Sequence, residues 1–391
     1  MRILLAGIPS DTLQNMEFVE APHCLPQCVK PLAGEKADVV MKAERISNTG
    51  NYLIGEGILH VLREHEVTYV APWKIPSLLR DADFVRYINE QFDYVAISTA
   101  NMIRSDYKPT TELDLLKAIN LPVFLIGVGI QRRDDLERDI PAETLEFIGE
   151  IAKREHTVFT RGTESESFLR NQGLRNVVAT GCPSLYLAPS NIKESLRNLK
   201  NLDLASCQNI ALNGYLGKDL SVIEDVNSLT TPQHGSFHYV CQDEFLHYGL
   251  EIDSSNTCFD AIKHEFVGRL EYQGKKFLKS PLKVYVFHST STWRTWSNSM
   301  DLTLGYRFHG NLIAMQTSIP SVIISVDDRM REMLKISGLP YIEMEEWYSN
   351  DDRRGLINKF TERLSLDESL DCYEQANERF INAMKTAGIL S

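Results

Sequence analysis

Asp301-Leu-Thr-Leu-Gly305-Tyr-Arg307-Phe-His309-Gly-Asn-Leu-Ile-Ala-Met315, followed by Ser318-Ile-Pro-Ser-Val-Ile-Ile-Ser325, is the stretch on which the reading of this chain turns. A short apolar strand ends at Gly305, a helical run starts near Gly310, and a second apolar strand follows Pro320. Strand, helix, strand is the grammar of an α/β fold. Arg307 and His309 fall on the strand-to-helix junction. Backbone N–H groups at a helix start point outward and carry roughly half a positive charge, so a cationic Arg and a titratable His there suit a phosphate or carboxylate. The plainer alternative is an Arg capping a neighbouring strand beside a satisfied surface His. The buried-looking strand before and the apolar helix after favour the anion site.

The same alternation runs through the rest of the chain. Arg2 to Ala6 reads as a strand, and a proline-containing excursion with two cysteines extends to about Glu44. Ser47-Asn-Thr-Gly-Asn51 then supplies capping residues before a helix from Tyr52. Strands are expected at 67–70, 92–98, 122–130, 157–160 and 177–180, with helices at 78–91, 113–120, 141–154 and 164–172 between them. A charged helix lies between 190 and 209, where the pattern resets. The second half is expected to hold a strand from Asn209, helices at 232–248 and 259–272, strands at 284–288, 302–305 and 322–326, a helix at 329–336, and two helical runs from Leu356. Strand-length apolar runs alternating with amphipathic helices mean mostly parallel sheets covered on both faces. The architecture expected is two doubly wound Rossmann-like domains facing a cleft, residues 1–200 and 201–391, with C-terminal helices.

Length supports this division, because 391 residues exceed the size at which one core usually keeps growing. A net charge of −12 argues against a general nucleic-acid binder, so an anionic ligand must be held by a local cluster. The amino terminus enters a strand at once and no stretch is long enough to span a bilayer, so a cytoplasmic protein is expected. Seven cysteines without C-x-x-C spacing fit reduced thiols better than disulfides or a zinc ribbon.

In open α/β sheets ligands bind beyond the carboxyl ends of strands, so candidate site residues should follow strands. Gly127-Val-Gly129 is a turn where backbone could approach a substrate closely. Arg161 follows Val158-Phe-Thr160 and precedes a helix, which is the geometry of Arg307 repeated in the other half. Two guanidinium groups converging across the cleft would clamp a small polyanion bidentately. Asn101 and Asp106 follow the strand ending near Ser98, making Asp106 a candidate base or a solvated loop carboxylate. His288 and Arg294 could extend the positive lining, although Arg294 between Trp293 and Trp296 could equally stack on an indole. His234 and His238 have the spacing of metal ligands on one helix face, but no Glu completes H-E-x-x-H and no metal is expected. Cys182 before Pro183 reads as a small buried residue rather than a nucleophile.

These residues resemble the polysaccharide pyruvyl transferase family from about Asn48 to Pro340. Gly305-Tyr-Arg307-Phe-His309-Gly, with Ser318-Ile-Pro320 downstream, is similar to that family's Arg-x-His-(Gly or Ala) helix start. Leu125-Ile-Gly-Val-Gly129 resembles its central glycine turn, Arg161 with Ser165 its Arg-acidic-x-x-Ser element, and Thr180-Gly-Cys-Pro183 its Gly-Asp-Pro element. Gly162 stands where an acidic residue is usual, Cys182 where Asp is usual, Asn51 where a Gly-Asp pair is common, and Thr99-Ala-Asn101 where a glycine run is common. The resemblance implies a glycosyltransferase B-like fold. It also implies transfer of the enolpyruvyl unit of phosphoenolpyruvate onto two hydroxyls of one sugar, with phosphate released and no cofactor. Arg161 and Arg307 would clamp carboxylate and phosphate, and His309 would ligate phosphate or donate a proton. Asn51, Asn101, Gly129, Ser165, His288 and Arg294 would line the substrate side. The expected partners are phosphoenolpyruvate and a sugar or lipid-linked glycan of a surface polysaccharide, with peripheral membrane association through such an acceptor and the oligomeric state left open. A second reading is a glycosyltransferase of the same shape that uses Arg307 and His309 on a nucleotide sugar. A third is a non-catalytic sugar- or anion-binding subunit.

Overall fold

Apolar runs of four to six residues make the strands, because a segment buried on both faces of a parallel sheet has no polar side to show. A computed structural model describes residues 1–8, 10, 16–20, 26–31, 48–131, 140–214, 221–230, 236–242, 258–260, 282–287 and 289–390. In chain order the strands of the first half are β1 (Arg2–Gly7), β2 (Met16–Glu20), β3 (Pro26–Pro31), β4 (Glu66–Val70), β5 (Tyr94–Ser98), β6 (Val123–Val128), β7 (Thr157–Thr160) and β8 (Val177–Ala179). The second half carries β9 (Asn209–Asn213), β10 (Ser236–Cys241), β11 (Cys258–Asp260), β12 (Leu282–Phe287), β13 (Leu302–Gly305), β14 (Ser321–Ser325) and β15 (Tyr341–Glu343). The helices that matter below are α1 (Tyr52–Val61), α2 (Ala82–Gln91), α3 (Thr110–Ala118), α4 (Ala142–Lys153), α5 (Thr163–Asn171), α6 (Pro189–Lys200), α7 (Ser221–Leu229), α8 (Thr290–Ser297), α9 (Phe308–Met315), α10 (Asp328–Ser337), α11 (Met344–Tyr348), α12 (Arg353–Arg363) and α13 (Leu366–Thr386).

The first sheet runs β4-β1-β5-β6-β7-β8, all parallel. The second runs β11-β12-β10-β9-β13-β14-β15, parallel except for the antiparallel β11. Strands β2 and β3 pair antiparallel by themselves inside the early excursion. In each large sheet the chain winds outward in both directions from a central pair, β1 beside β5 and β9 beside β13. The fold is therefore two Rossmann-like units in the glycosyltransferase B-like arrangement. The switch points between those central strands are where such sheets open a crevice for ligands.

One apolar cluster joins the two halves. It contains Leu5, Ile54, Phe124 and Phe159 from the first, Phe308, Leu312, Ile313 and Leu334 from the second, and Tyr373, Phe380 and Met384 of α13. The Tyr373 hydroxyl donates to the Leu185 carbonyl at 2.6 Å, and the Tyr186 ring stacks on Phe380 with centroids 4.3 Å apart. Helix α13 thus returns to pack on the segment that leads out of the first sheet. No described helix is long and apolar enough to cross a membrane.

Several elements differ from the sequence reading. The helix expected at 232–248 is occupied at 236–241 by β10, a central strand between β9 and β12. The helix expected at 259–272 begins in β11, and the rest of it lies outside the described residues. The run 78–91 is not one helix: Asp81 breaks it and caps α2 by accepting from the Asp83 and Phe84 N–H groups. Strand β15 was not expected; three residues carry no periodicity to read.

Candidate functional site

The two switch points face each other across a cleft of about 710 Å³, which Gly7 and Ser98 line on the side of the first sheet and Tyr306, Arg307 and His309 on the side of the second. On the second side the chain turns sharply. Gly305 holds φ +156, and a Cβ there would stand 2.2 Å from the Asn213 carbonyl oxygen, so only glycine lets β13 approach β9 this closely. The Arg307 N–H donates to that same carbonyl at 3.2 Å, and Arg307 becomes the N-cap of α9 with extended backbone and no side-chain cap. All eight residues of α9 are buried. Its first-turn N–H groups, Arg307 and His309 therefore meet at one place.

Arg161 comes from the opposite side. It leaves β7, its N–H donates to the Val128 carbonyl at 2.9 Å, its Nε to the Gly127 carbonyl at 3.0 Å, and its Nη1 to Asn101 Oδ1 at 3.3 Å. Its Nη2 is buried with no hydrogen-bond partner among the described residues, in a side chain only 3% exposed. Burial lowers the Arg161 pKa, yet a guanidinium stays charged in proteins. Gly129 makes room for it: a Cβ there would lie 3.1 Å from Arg161 Cδ and 3.1 Å from Asn101 Oδ1.

His309 is 8% exposed and its Nε2 lies 3.5 Å from Cys182 Sγ, which in turn meets Ser184 Oγ at 2.9 Å. Burial, reinforced by the Arg161 charge, brings its pKa down to about 3, so the imidazole is neutral at physiological pH in the empty cleft. The turn Asn48–Asn51 covers it. Asn48 Oδ1 caps that turn through the Gly50 N–H at 2.9 Å, the Thr49 N–H donates to the Gln242 carbonyl at 3.1 Å, and a Cβ on Gly50 would reach His309 Cβ at 3.2 Å. Asn51 lines the cleft from the same turn.

Of the residues expected from sequence, the cleft brings together Arg161, Arg307, His309, Asn51, Asn101 and Asp106, with Gly129 behind Arg161. Asp106 sits at an exposed part of the lining, its side chain 64% accessible and paired with Arg104 Nε at 3.1 Å. Ser165 is fully buried away from the lining and bonded to Glu332. Arg294 is not a stacking or anion-binding group. It pairs bidentately with Glu56 at 2.8 Å and 2.8 Å and donates to Gln316 Oε1, tying α8 to α1 and α9. His288 and His234 lie outside the described residues. His238 is in a strand, its Nε2 2.6 Å from Ser236 Oγ, so the proposed helix-face pairing does not exist. Among the described residues no three His, Cys, Asp or Glu side chains form a metal-sized group.

The structure adds lining residues that sequence reasoning passed over. Arg329 follows β14 and is ion-paired with Asp327, the N-cap of α10; the strand-end rule that found Arg161 would have found it too. Glu112 and Tyr107 line the other wall, with the Tyr107 hydroxyl donating to Glu112 Oε1 at 2.9 Å. Burial raises the Glu112 pKa, opposed by hydrogen bonds. Asp106 and Asp327 thus supply counter-charge to Arg104 and Arg329, while the buried Arg161 Nη2 has no hydrogen-bond partner among the described residues.

The sequence profile described as polysaccharide pyruvyl transferase matches residues 48–328. The chain belongs to the polysaccharide pyruvyl transferase family. Arg161, Arg307 and His309 all lie within the matched residues of this transferase. No curated protein matches the sequence. Among solved structures, the pyruvyl transferase chain is similar to Anabaena HepE in complex with UDP, at 13% identity over 99% of this chain and 98% of that one, TM-score 0.47. It is also similar to S. aureus MnaA with UDP, at 11% identity over 100% and 98%, TM-score 0.49. A third is UDP-GlcNAc 2-epimerase from Neisseria meningitidis bound to UDP-GlcNAc, at 11% identity over 99% and 100%, TM-score 0.48.

Proposed function

We propose that this pyruvyl transferase moves the enolpyruvyl unit of phosphoenolpyruvate onto two hydroxyls of one sugar in a polysaccharide or glycan precursor, making a pyruvate ketal and releasing phosphate. The observation that carries the reading is the buried Nη2 of Arg161, without a hydrogen-bond partner among the described residues, in the cleft that also holds Arg307, His309 and the start of α9. A small trianion fits that demand. Burying a guanidinium is costly until an oxyanion completes its hydrogen bonds.

The chemistry follows from charge and proton balance. A proton adds to the methylene carbon and leaves an oxocarbenium centre, which the first sugar hydroxyl attacks. Phosphate then departs with its electron pair, a second oxocarbenium centre forms, and the second hydroxyl closes the ketal. Two hydroxyl protons are released: one balances the proton consumed and the other leaves on phosphate. Arg161 and Arg307 neutralise carboxylate and phosphate and stabilise the departing charge. His309 is neutral in the empty cleft and becomes a proton carrier once a phosphate dianion lies beside it. On this reading Glu112, which accepts from the Tyr107 hydroxyl on the other wall, receives a proton from the acceptor. The scheme calls for no metal or organic cofactor. The acceptor is a free or lipid-linked glycan, and a lipid-linked one would bring the protein to the membrane surface.

The test is incubation with phosphoenolpyruvate and a panel of lipid-linked or aryl glycosides, following inorganic phosphate and the mass of the sugar. Acceptor-dependent phosphate release with pyruvyl mass on the sugar is expected, and Arg307→Ala and His309→Ala should abolish it while leaving the melting temperature near that of wild type. Near-normal turnover in both variants would remove the mechanism. A melting temperature raised by a nucleotide sugar but not by phosphoenolpyruvate would assign the cleft to glycosyl transfer instead.

A further inference from the structure

Helix α5 begins immediately after Arg161, and nothing in its own sequence caps it. Its N-cap is Gly162, with extended backbone at φ −173 and ψ −177 that any residue adopts, so glycine is not there for its conformation. It is there for space. A Cβ on Gly162 would lie 1.9 Å from Glu332 Cγ and 2.5 Å from Glu332 Cδ. Glu332 belongs to α10, in the other half of the molecule, and is 5% exposed. Its Oε1 accepts from the Ser165 N–H at 2.6 Å and its Oε2 from the Ser165 hydroxyl at 2.9 Å. Ser165 is the third residue of α5, so this N–H is one that an N-cap side chain ordinarily satisfies.

The contact reaches Arg161 through a second bond. Ser165 Oγ accepts from the Ile130 N–H at 3.1 Å, which fixes the turn after β6. Gly129 of that turn packs on Arg161 Cδ, and the carbonyl of Gly127 just before it accepts from Arg161 Nε. Helix α10 also supplies Arg329, Met330 and Met333 to the cleft. Glu332 itself lies beyond residues 48–328, the span matched by the family profile.

We propose that Glu332 is a positioning residue that caps α5 from the other half of the molecule and thereby sets the geometry of Arg161, so that anion binding at Arg161 is coupled to the contact between the two halves. In its consequence for phosphoenolpyruvate the proposal rests on the function proposed above; in its consequence for Arg161 itself it does not.

The experiment compares wild type, Glu332→Ala, Gly162→Asp and the double variant, full length, by three readouts. These are ligand-free melting temperature, the dissociation constant for phosphoenolpyruvate by calorimetry, and the rate at which phenylglyoxal modifies Arg161, read by peptide mass. Losing the cap should weaken phosphoenolpyruvate binding about fivefold and speed Arg161 modification by a similar factor. Gly162→Asp alone should lower the melting temperature because its Cβ meets Glu332. In the Glu332→Ala background the same substitution supplies a cap from its own helix and should restore both affinity and protection. A Glu332→Ala protein with lowered melting temperature but wild-type affinity and Arg161 reactivity would make Glu332 merely structural and overturn the proposal. So would a double variant no better than the sum of its parts. If wild type binds no phosphoenolpyruvate, the proposed reaction fails, and the Arg161 modification rates still decide the role of Glu332. Should Glu332→Ala not fold, Glu332→Met, which fills the same space without an acceptor, is read in the same way: faster modification of Arg161 supports the cap, and unchanged protection overturns it.

Discussion

Phosphoenolpyruvate binding should draw a proton onto His309, and the size of the effect follows from the empty site. There the imidazole has a pKa of about 3, so at pH 7.5 it carries essentially no proton. A phosphate dianion placed ~4 Å away, at an effective dielectric of ~20, favours the charged form by about 8 kcal/mol. That corresponds to about 6 pKa units and lifts the imidazole above neutrality. Binding at pH 7.5 should therefore take up close to one proton. The ligand's own phosphate, with a second pKa near ~6, is already dianionic there. The assay is calorimetry in buffers of different ionisation enthalpy, where the slope of apparent against buffer enthalpy counts protons. His309→Gln, which cannot titrate, should bring the slope near zero. A wild-type slope of zero, or an equal slope in His309→Gln, would refute the assignment of His309 as the group charged by the ligand.

Stability should also fall on acidification. His156 and His238, both at about 4, and His309, at about 3, are held below the ~6.5 of an unfolded chain, so below pH 6.5 the unfolded state binds more protons. Burial pushes Asp225 up to about 6, against the pull of Arg353, and this works the other way. The imidazoles outweigh Asp225 together with Glu112 and Glu332, which burial also raises, and denaturant titrations should show the protein less stable at pH 5.5 than at pH 7 by about 2–3 kcal/mol; equal stability would contradict the neutral histidines. Gly305→Ala should cost roughly 2–4 kcal/mol in the same assay, since the new methyl meets the Asn213 carbonyl. Tyr306→Phe removes the 2.8 Å hydroxyl bond to Asp225 Oδ2 while Trp347 and Arg353 keep hold of Oδ1, and should cost about 1–2 kcal/mol.

Much of the scaffold was legible because fully buried parallel strands leave a plain trace. Tyr94–Ser98, Val123–Val128 and Thr157–Thr160 are apolar runs of strand length, and their ends point to Asn101, Gly129 and Arg161. The trace fails where burial removes periodicity. Ser236–Cys241 is a run of six residues whose spacing fits a helix as well as a strand, and only its place between β9 and β12 decides. Long-range pairing hid the rest. Arg294 read as a cleft cation because its partner Glu56 is 238 positions away, and Ser165 read as a substrate contact because Glu332 is 167 positions away. His309 shares the strand-to-helix junction with Arg307, but its charge state depends on burial and on Arg161, which the sequence sets far from it.

The return of α13 to the first half has a consequence for synthesis. Tyr373, Phe380 and Met384 share one apolar cluster with Leu5, Ile54 and Phe159, so the flank of the first sheet stays greasy until α13 has been made. A nascent chain folding from its amino end would hold that flank open while some 180 further residues emerge, at about 5–20 residues per second. Residues 1–200 produced alone should therefore need a chaperone or a supplied α13 peptide to stay in solution, and the two Rossmann units are a single folding event rather than two independent ones.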